Sequence, residues 1–126
     1  MTAPRFESGP EASGPRIQGF AGRDFLVDGE TYDGLLLTPE KAARWAAPAL
    51  AELDLAHIAP LLALAPAPEF LLLGTGIAQV FPPRAFVAAL DAKGIGVEAM
   101  DSRAAARIWG LLRGEGRWIA AALLPL

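Results

Sequence analysis

Apolar residues fall along this chain in short, well-separated runs. Residues 25–27 and 31–37 are two apolar-rich stretches parted by Asp28-Gly29. That pairing predicts a β-hairpin, because glycine tolerates the positive φ a tight turn demands. Thr38-Pro39-Glu40 then reads as a helix start. Threonine caps, proline presets the first helical φ, and glutamate meets the positive end of the dipole. This helix is expected to carry Trp45 and to yield near Pro48. Asp54 opens a second helical segment holding His57, Leu61, Leu62 and Leu64, with Pro60 tolerable in its first turn. Pro66 and Pro68 end it.

The second half has a clearer rhythm. Residues 70–73 (FLLL) are four consecutive apolar positions without alternation, the mark of a strand covered on both faces. Pro83 starts a helix running through Leu90, and Gly94 closes it. Residues 95–98 form the next strand. Asp101 or Ser102 caps a helix whose Ala104, Ala105, Ile108, Leu111 and Leu112 make an apolar stripe at helical spacing. Gly114 and Gly116 end that helix, and residues 118–124 form a last strand. The β-α-β-α-β order, with right-handed crossovers, predicts a central parallel set of strands. The fold expected is therefore α/β, a single three-layer domain with a central mixed, largely parallel sheet and an N-terminal β-hairpin that extends or covers it. Residues 1–15, rich in Pro, Gly and Ser, read as a flexible tail, and residues 16–126 as the domain.

Composition narrows the function classes. With 53% hydrophobic and 20% charged residues in 126, one globular core is expected. A net charge of -3 and a pI near 5.1 give no general attraction for nucleic-acid phosphates. Nine of the eleven basic residues are arginine, and there is no cysteine, which removes disulfides, thiolate metal sites and cysteine nucleophiles. The lone His57 excludes a multi-histidine metal site. No apolar run reaches the ~18–20 residues of a membrane helix, and the N-terminus lacks the apolar centre of a signal peptide. The expected address is cytoplasmic, with neither cofactor nor metal.

Candidate chemistry gathers at the sequence FLLLGTGIAQVFPP. Gly74 and Gly76 match the first two glycines of a dinucleotide fingerprint, with Glu98 as the distal acidic residue. Gln79 at the third glycine position and the Pro82-Pro83 interruption argue against it, because the pyrophosphate loses its helix N-terminus. What survives is a long loop at the C-terminal end of a central strand, where open α/β sheets place ligand crevices. Gly74, Thr75, Gly76, Glu98, Asp101 and Ser102 are expected on one rim. Arg107, four residues after Arg103, could add an anion contact. The plainer account has Asp101 or Ser102 as an N-cap, the glycines serving the backbone and the arginines solvated beside the core. Two carboxylates at a strand end could supply a general acid or base, but no nucleophile elbow is present, and no catalytic residue is assigned.

The linked segments FLLLGTG and GIGVEAMDSRAAARIWGLLRGEGRWIAAALL resemble the mitochondrial complex I assembly factor 3 family, whose bacterial and archaeal relatives form a domain-of-unknown-function family. Phe25, Val27, Gly29, Tyr32, Gly34 and Trp45 fit its N-terminal pattern, and the similarity spans residues 15–124. It implies a compact α/β domain with a mixed sheet and recurring positions at Gly74, Thr75, Gly76, Glu98, Met100, Asp101, Ala105, Arg107, Glu115 and Arg117. It also implies work through protein contacts in respiratory complex assembly. Where many relatives read Cys-Arg-Thr-Tyr-Asn, this chain has Ala106-Arg107-Ile108-Trp109-Gly110, which removes polar groups that shared catalysis could use. Two functions follow as expectations. One is a non-catalytic protein-interaction or assembly module, with an unidentified protein partner and peripheral association with a membrane complex. The other is a small-molecule or anion-binding protein, or a weak enzyme, using the crevice at the GTG loop. Whether the chain forms a homo-oligomer is left open.

Overall fold

The structure, a computed structural model, describes residues 13–126. The tail expected over residues 1–15 lies outside the described residues up to residue 12. Beyond it, Pro15 is buried and its carbonyl accepts the Trp109 indole N–H at 3.3 Å.

β1 (Ile17–Ala21), β2 (Asp24–Val27) and β3 (Glu30–Tyr32) form a three-stranded antiparallel sheet. The Asp28-Gly29 turn joins β2 to β3 with φ of 49° and 87°, the double positive φ its sequence calls for. The expected strand over 31–37 is interrupted. Asp33 Oδ1 accepts the Gly34 N–H at 2.7 Å, and the Gly34 carbonyl accepts the Trp45 N–H at 3.0 Å. A Cβ on Gly34 would collide with the Trp45 carbonyl oxygen, so this break requires glycine. After it, β4 (Leu35–Leu37) enters a different sheet.

No helix follows Thr38. Its Oγ1 accepts the N–H groups of Glu40 and Lys41 at 3.2 and 3.1 Å, and its own N–H donates to Lys41 O at 3.0 Å. The hydroxyl therefore caps a turn, and β5 (Ala42–Arg44) pairs antiparallel with β4. Threonine satisfies free N–H groups equally well at a helix start and at a turn, and pairing with β4 decides between them. Arg44 clamps this hairpin to the other sheet, donating to Thr31 O at 2.6 Å and lying 4.5 Å over the Tyr32 ring. Asp54 caps a 3-10 turn over Leu55–Ile58, followed by the one-turn α1 (Ala59–Leu62) with Pro60 at its start.

β6 (Phe70–Gly74), α2 (Arg84–Asp91), β7 (Gly96–Met100), α3 (Ser102–Gly114) and β8 (Ala120–Leu123) realise the expected β-α-β-α-β half. The five-stranded sheet runs β5-β4-β8-β6-β7. β6 is parallel to both β7 and β8, and β4 and β5 are added antiparallel, so the sheet is mixed. Alternate residues feed two cores. Leu36, Leu71, Leu73, Ala120 and Ala122 join Trp45, Phe86 and Leu90 on the α1–α2 face. Leu35, Leu37, Leu72, Ala121 and Leu123 join Trp109, Phe25 and Val27 on the face covered by α3 and the N-terminal sheet. Large tryptophans thus share each core with the small alanines of β8, as close packing requires. The domain has three layers: β1–β3 cover the sheet, while β4, the second half of the stretch expected as one strand over 31–37, extends it.

α3 is rotated from the expected stripe. Its buried positions are Ser102, Ala105, Ala106, Trp109 and Arg113, while Leu111 is exposed. The phase is set where the helix begins, because Ser102 is held inside the sheet edge.

Glu69 and Arg117 lock the entries of β6 and β8. Arg117 Nη2 lies 2.8 Å from Glu69 Oε1, and Glu69 Oε2 accepts the Trp118 N–H at 3.0 Å. The Arg117 side chain and the Trp118 N–H hold the Glu69 carboxyl below its ordinary value. A depressed carboxylate stabilises the fold above its unfolded pKa, and that contribution is lost as pH falls through the folded value. Glu69→Gln should therefore unfold less steeply with acid than the parent below pH ~4, read by urea denaturation across pH. Equal acid sensitivity in both proteins would show that the pair contributes nothing. Trp109→Ala, which empties the centre of the α3 face, should cost about 3–5 kcal/mol in equilibrium unfolding.

Candidate functional site

The GTG segment lies where β6 leaves the sheet, beside the C-terminal end of β8 and the start of α3. Gly74 is closed in: a Cβ there would lie 2.6 Å from Ser102 Oγ and 2.8 Å from Leu123 Cδ2. No side chain larger than hydrogen fits without moving the helix. Gly76 takes φ +100°, and its carbonyl accepts the Ser102 N–H at 2.8 Å. Ser102 is fully buried. Its Oγ accepts the Gly76 N–H at 2.9 Å and donates to Leu124 O at 2.8 Å. Leu124 N–H in turn donates to Gly74 O at 2.9 Å.

Thr75 is also buried, and its hydroxyl organises the loop that follows. It accepts the Val80 N–H at 3.1 Å and donates to Ala78 O at 2.7 Å, with Met100 O at 3.2 Å as a second acceptor within reach. Asp101 Oδ1 accepts the Ala104 N–H at 2.9 Å, an ordinary N-cap. Gln79 Nε2 donates to Ala99 O at 3.0 Å, tying the loop to the edge strand β7.

Sequence reasoning brings Gly74, Thr75, Gly76, Asp101 and Ser102 together, and the structure does so. Their polar groups are taken up by the protein's own backbone and by one another, however, and the Gly76 amide that a phosphate would need is held by Ser102. Glu98 is exposed on β7, in register with Leu72. Arg107 lies five residues into α3, about 7.5 Å along its axis from Ser102, and lines a different cavity with Ile17 and Arg113. Arg103 stacks 4.8 Å over the Phe20 ring, so the two arginines separate in role. His57 Nδ1 accepts the Asp54 N–H at 3.0 Å, completing a capping box. Among the described residues, no group of His, Cys, Asp or Glu is placed to hold a metal, and no helix is long and apolar enough to cross a membrane.

The surface feature that sequence reading missed is apolar. Ile77, Val80 and Phe81 are 80%, 51% and 88% exposed on the loop that Thr75 holds in place. Phe81 borders two grooves: one of about 520 Å³ with Leu50, Ala51, Thr75, Val80 and Pro83, the other of about 710 Å³ with Pro82, Val87 and Ala88 rimmed by Arg84 and Asp91. Three apolar residues inside a loop bracketed by Gly76 and Pro82 were the available signal, since such a loop has no core of its own to enter.

These features define a small three-layer α/β domain whose sheet-end crevice is filled by its own hydrogen bonds and whose connecting loop is apolar outside. The chain belongs to the family described as protein of unknown function (DUF498/DUF598), whose family model matches residues 17–124. It is 34% identical to an uncharacterized protein of Rhodobacter capsulatus, over 89% of this chain and 93% of that one. Its fold is similar to a Bordetella parapertussis protein solved by crystallography, with TM-score 0.80, 34% identity and coverage of 89% and 96% of the two chains. It is also similar to a Mth938-like domain of Bordetella pertussis solved by NMR, with TM-score 0.78, 28% identity and coverage of 99% and 92%.

The Ser102 network is directly measurable. Ser102→Ala leaves the Gly76 N–H and the Leu124 carbonyl without their buried partner. It should cost about 1–3 kcal/mol in urea unfolding. A loss below ~0.5 kcal/mol would mean the hydroxyl is dispensable.

Proposed function

We propose that this protein is a non-catalytic interaction module that docks a protein partner through the Ile77–Val80–Phe81 loop. The observation that carries the reading is that exposed loop, clamped by Thr75. Large apolar side chains held outside a core lose contact with water only when something covers them, and three of them within five residues of one loop favour a partner surface there. Phe81, with an apolar groove on either side, suits a partner that presents apolar ridges of its own. Aromatic anchors of this sort carry most of the energy of an interface. The polar groups at the neighbouring sheet end are engaged with one another, which favours contact over chemistry.

The partner class comes from the resemblance of the GTG and GIG-x-E-x-MD segments to the complex I assembly factor 3 family. On that basis the module acts in the cytoplasm on a subunit or assembly factor of a membrane-bound respiratory complex. Full-length tagged protein and its Phe81→Asp variant, recovered from native membranes and extracts, test this by quantitative mass spectrometry. Respiratory-complex proteins should co-purify with the parent and fall at least about tenfold with the variant, a loss of ~1.4 kcal/mol or more. Stability of the variant should stay within about 0.5 kcal/mol, because the side chain is exposed. Equal recovery with both proteins would refute the loop as the docking surface.

A further inference from the structure

The cavity that Arg107 enters lies along the C-terminal half of α3, where β1 crosses it, and is independent of the Phe81 loop. It is a half-open hollow of about 550 Å³, within the ~300–1,000 Å³ typical of small-molecule sites. Ile17, Trp109, Gly110 and Leu111 give it an apolar lining, and Arg16 and Arg107 line it as exposed side chains. Two features separate it from an ordinary surface hollow. First, Leu111 is 59% exposed at its wall, on the apolar-and-basic strip that the rotation of α3 turns away from the core. Second, its charge runs against that of the whole protein. Among the described residues, Arg16 and Arg107 line it opposite a single carboxylate, Glu115, in a chain of net charge -3.

Three arginines border the cavity, and they differ in kind. Arg113 is part of the frame: its Nη1 donates to Arg117 O at 2.6 Å and its Nη2 to Ser13 O at 3.4 Å, and burial pushes its guanidinium below its usual pKa. Arg16 and Arg107 make no ion pair among the described residues. Only the Arg16 backbone is engaged, its N–H reaching Asp28 Oδ1 at 3.4 Å. They line the cavity from places 91 positions apart in sequence, the residue just before β1 and α3, so the fold and not a local charge run brings them to it. Trp109, fully buried with its Nε1 held by Pro15 O, forms the floor beneath the cavity and offers no surface of its own.

From this geometry we infer that the cavity between β1 and the C-terminal half of α3 binds a small amphipathic anion, an oxyanion head on an apolar body. Arg16 and Arg107 take the head, since guanidinium groups match carboxylate and phosphate oxygens in paired hydrogen bonds. Ile17 and Leu111 cover the apolar body. The Gly110 position adds depth, because no side chain projects from the helix there.

Titration of the ¹⁵N-labelled full-length protein with decanoate, decyl phosphate and decanol tests the assignment. Either anion should shift the amides of Ile17, Gly110 and Leu111 and the Trp109 indole, saturating with a Kd of about 0.1–1 mM. Decanol should bind at least about tenfold more weakly. The doubly substituted Arg16→Glu/Arg107→Glu protein should lose about tenfold in anion affinity while its decanol binding and Tm hold, because both side chains are exposed. Tighter binding of decanoate or of decyl phosphate tells a carboxylate head from a phosphate head. Three results would overturn the inference: no saturable shift by several millimolar, equal affinity for decanol and the anions, or shifts confined to the Ile77–Phe81 loop. None of them bears on docking at Phe81, which the co-purification measures separately.

Discussion

The buried hydroxyl of Ser102 is the point on which this domain turns. It joins the first turn of α3 to the loop after β6 and to the chain leaving β8, through one accepted and one donated hydrogen bond. Such a junction forms only if two backbones and a helix approach within hydrogen-bonding distance. The missing Cβ of Gly74 permits that approach. The consequences run down the helix. With Ser102 held inward, helical spacing puts Ala105, Ala106, Trp109 and Arg113 on the sheet and leaves Leu111 and Arg107 outside. Two surfaces result, one at each end of α3: the ordered apolar loop near its start and the basic, apolar-lined cavity near its finish.

The same network explains why a segment so suggestive of ligand binding is closed. A phosphate loop keeps its backbone N–H groups pointing at empty space. Here the Gly76 N–H meets a serine, the Thr75 N–H meets Met100 O at 2.8 Å, and the Thr75 hydroxyl holds the loop's interior. Polar groups buried without partners are expensive, so these internal hydrogen bonds stabilise the junction of β6, β8 and α3. The loop is then free to carry exposed apolar residues without collapsing onto the core. Thr75 and Gln79 fix its path from inside and from the edge strand.

Much of the fold is legible in sequence wherever a local rule and the global arrangement agree. Asp28-Gly29, Pro83 with Gly94, and Asp101 each impose a backbone geometry that no tertiary contact opposes, and each appears as read. Thr38 was misread because its hydroxyl satisfies the same N–H groups in a turn as in a helix, and the pairing of β5 with β4 lies outside any local window. The α3 stripe was placed from hydrophobicity alone. Trp109 and the small Ala106 fit the sheet better than Leu111 once Ser102 has set the phase. Of the candidate rim, Gly74, Thr75, Gly76, Asp101 and Ser102 were grouped correctly because parallel βα units bring their strand ends to one edge. Arg107, expected as an anion contact from its i,i+4 spacing with Arg103, lines a cavity apart from that rim.

By itself, then, the sequence determined the βαβαβ half, the β2–β3 hairpin and the convergence of the GTG loop with the start of α3. These follow from periodicity, turn chemistry and the handedness of crossovers, all properties of short windows or of chain topology. Tertiary structure alone decided that the N-terminal sheet covers one face of the central sheet, and that the chain after Thr38 is a strand. It also decided that Ser102 and Met100 take up the Gly76 and Thr75 N–H groups, and that Arg16 and Arg107 line one cavity between the start of β1 and α3. Each of those outcomes depends on groups distant in the chain competing for the same hydrogen bonds or the same space, and that competition is resolved only when the layers pack.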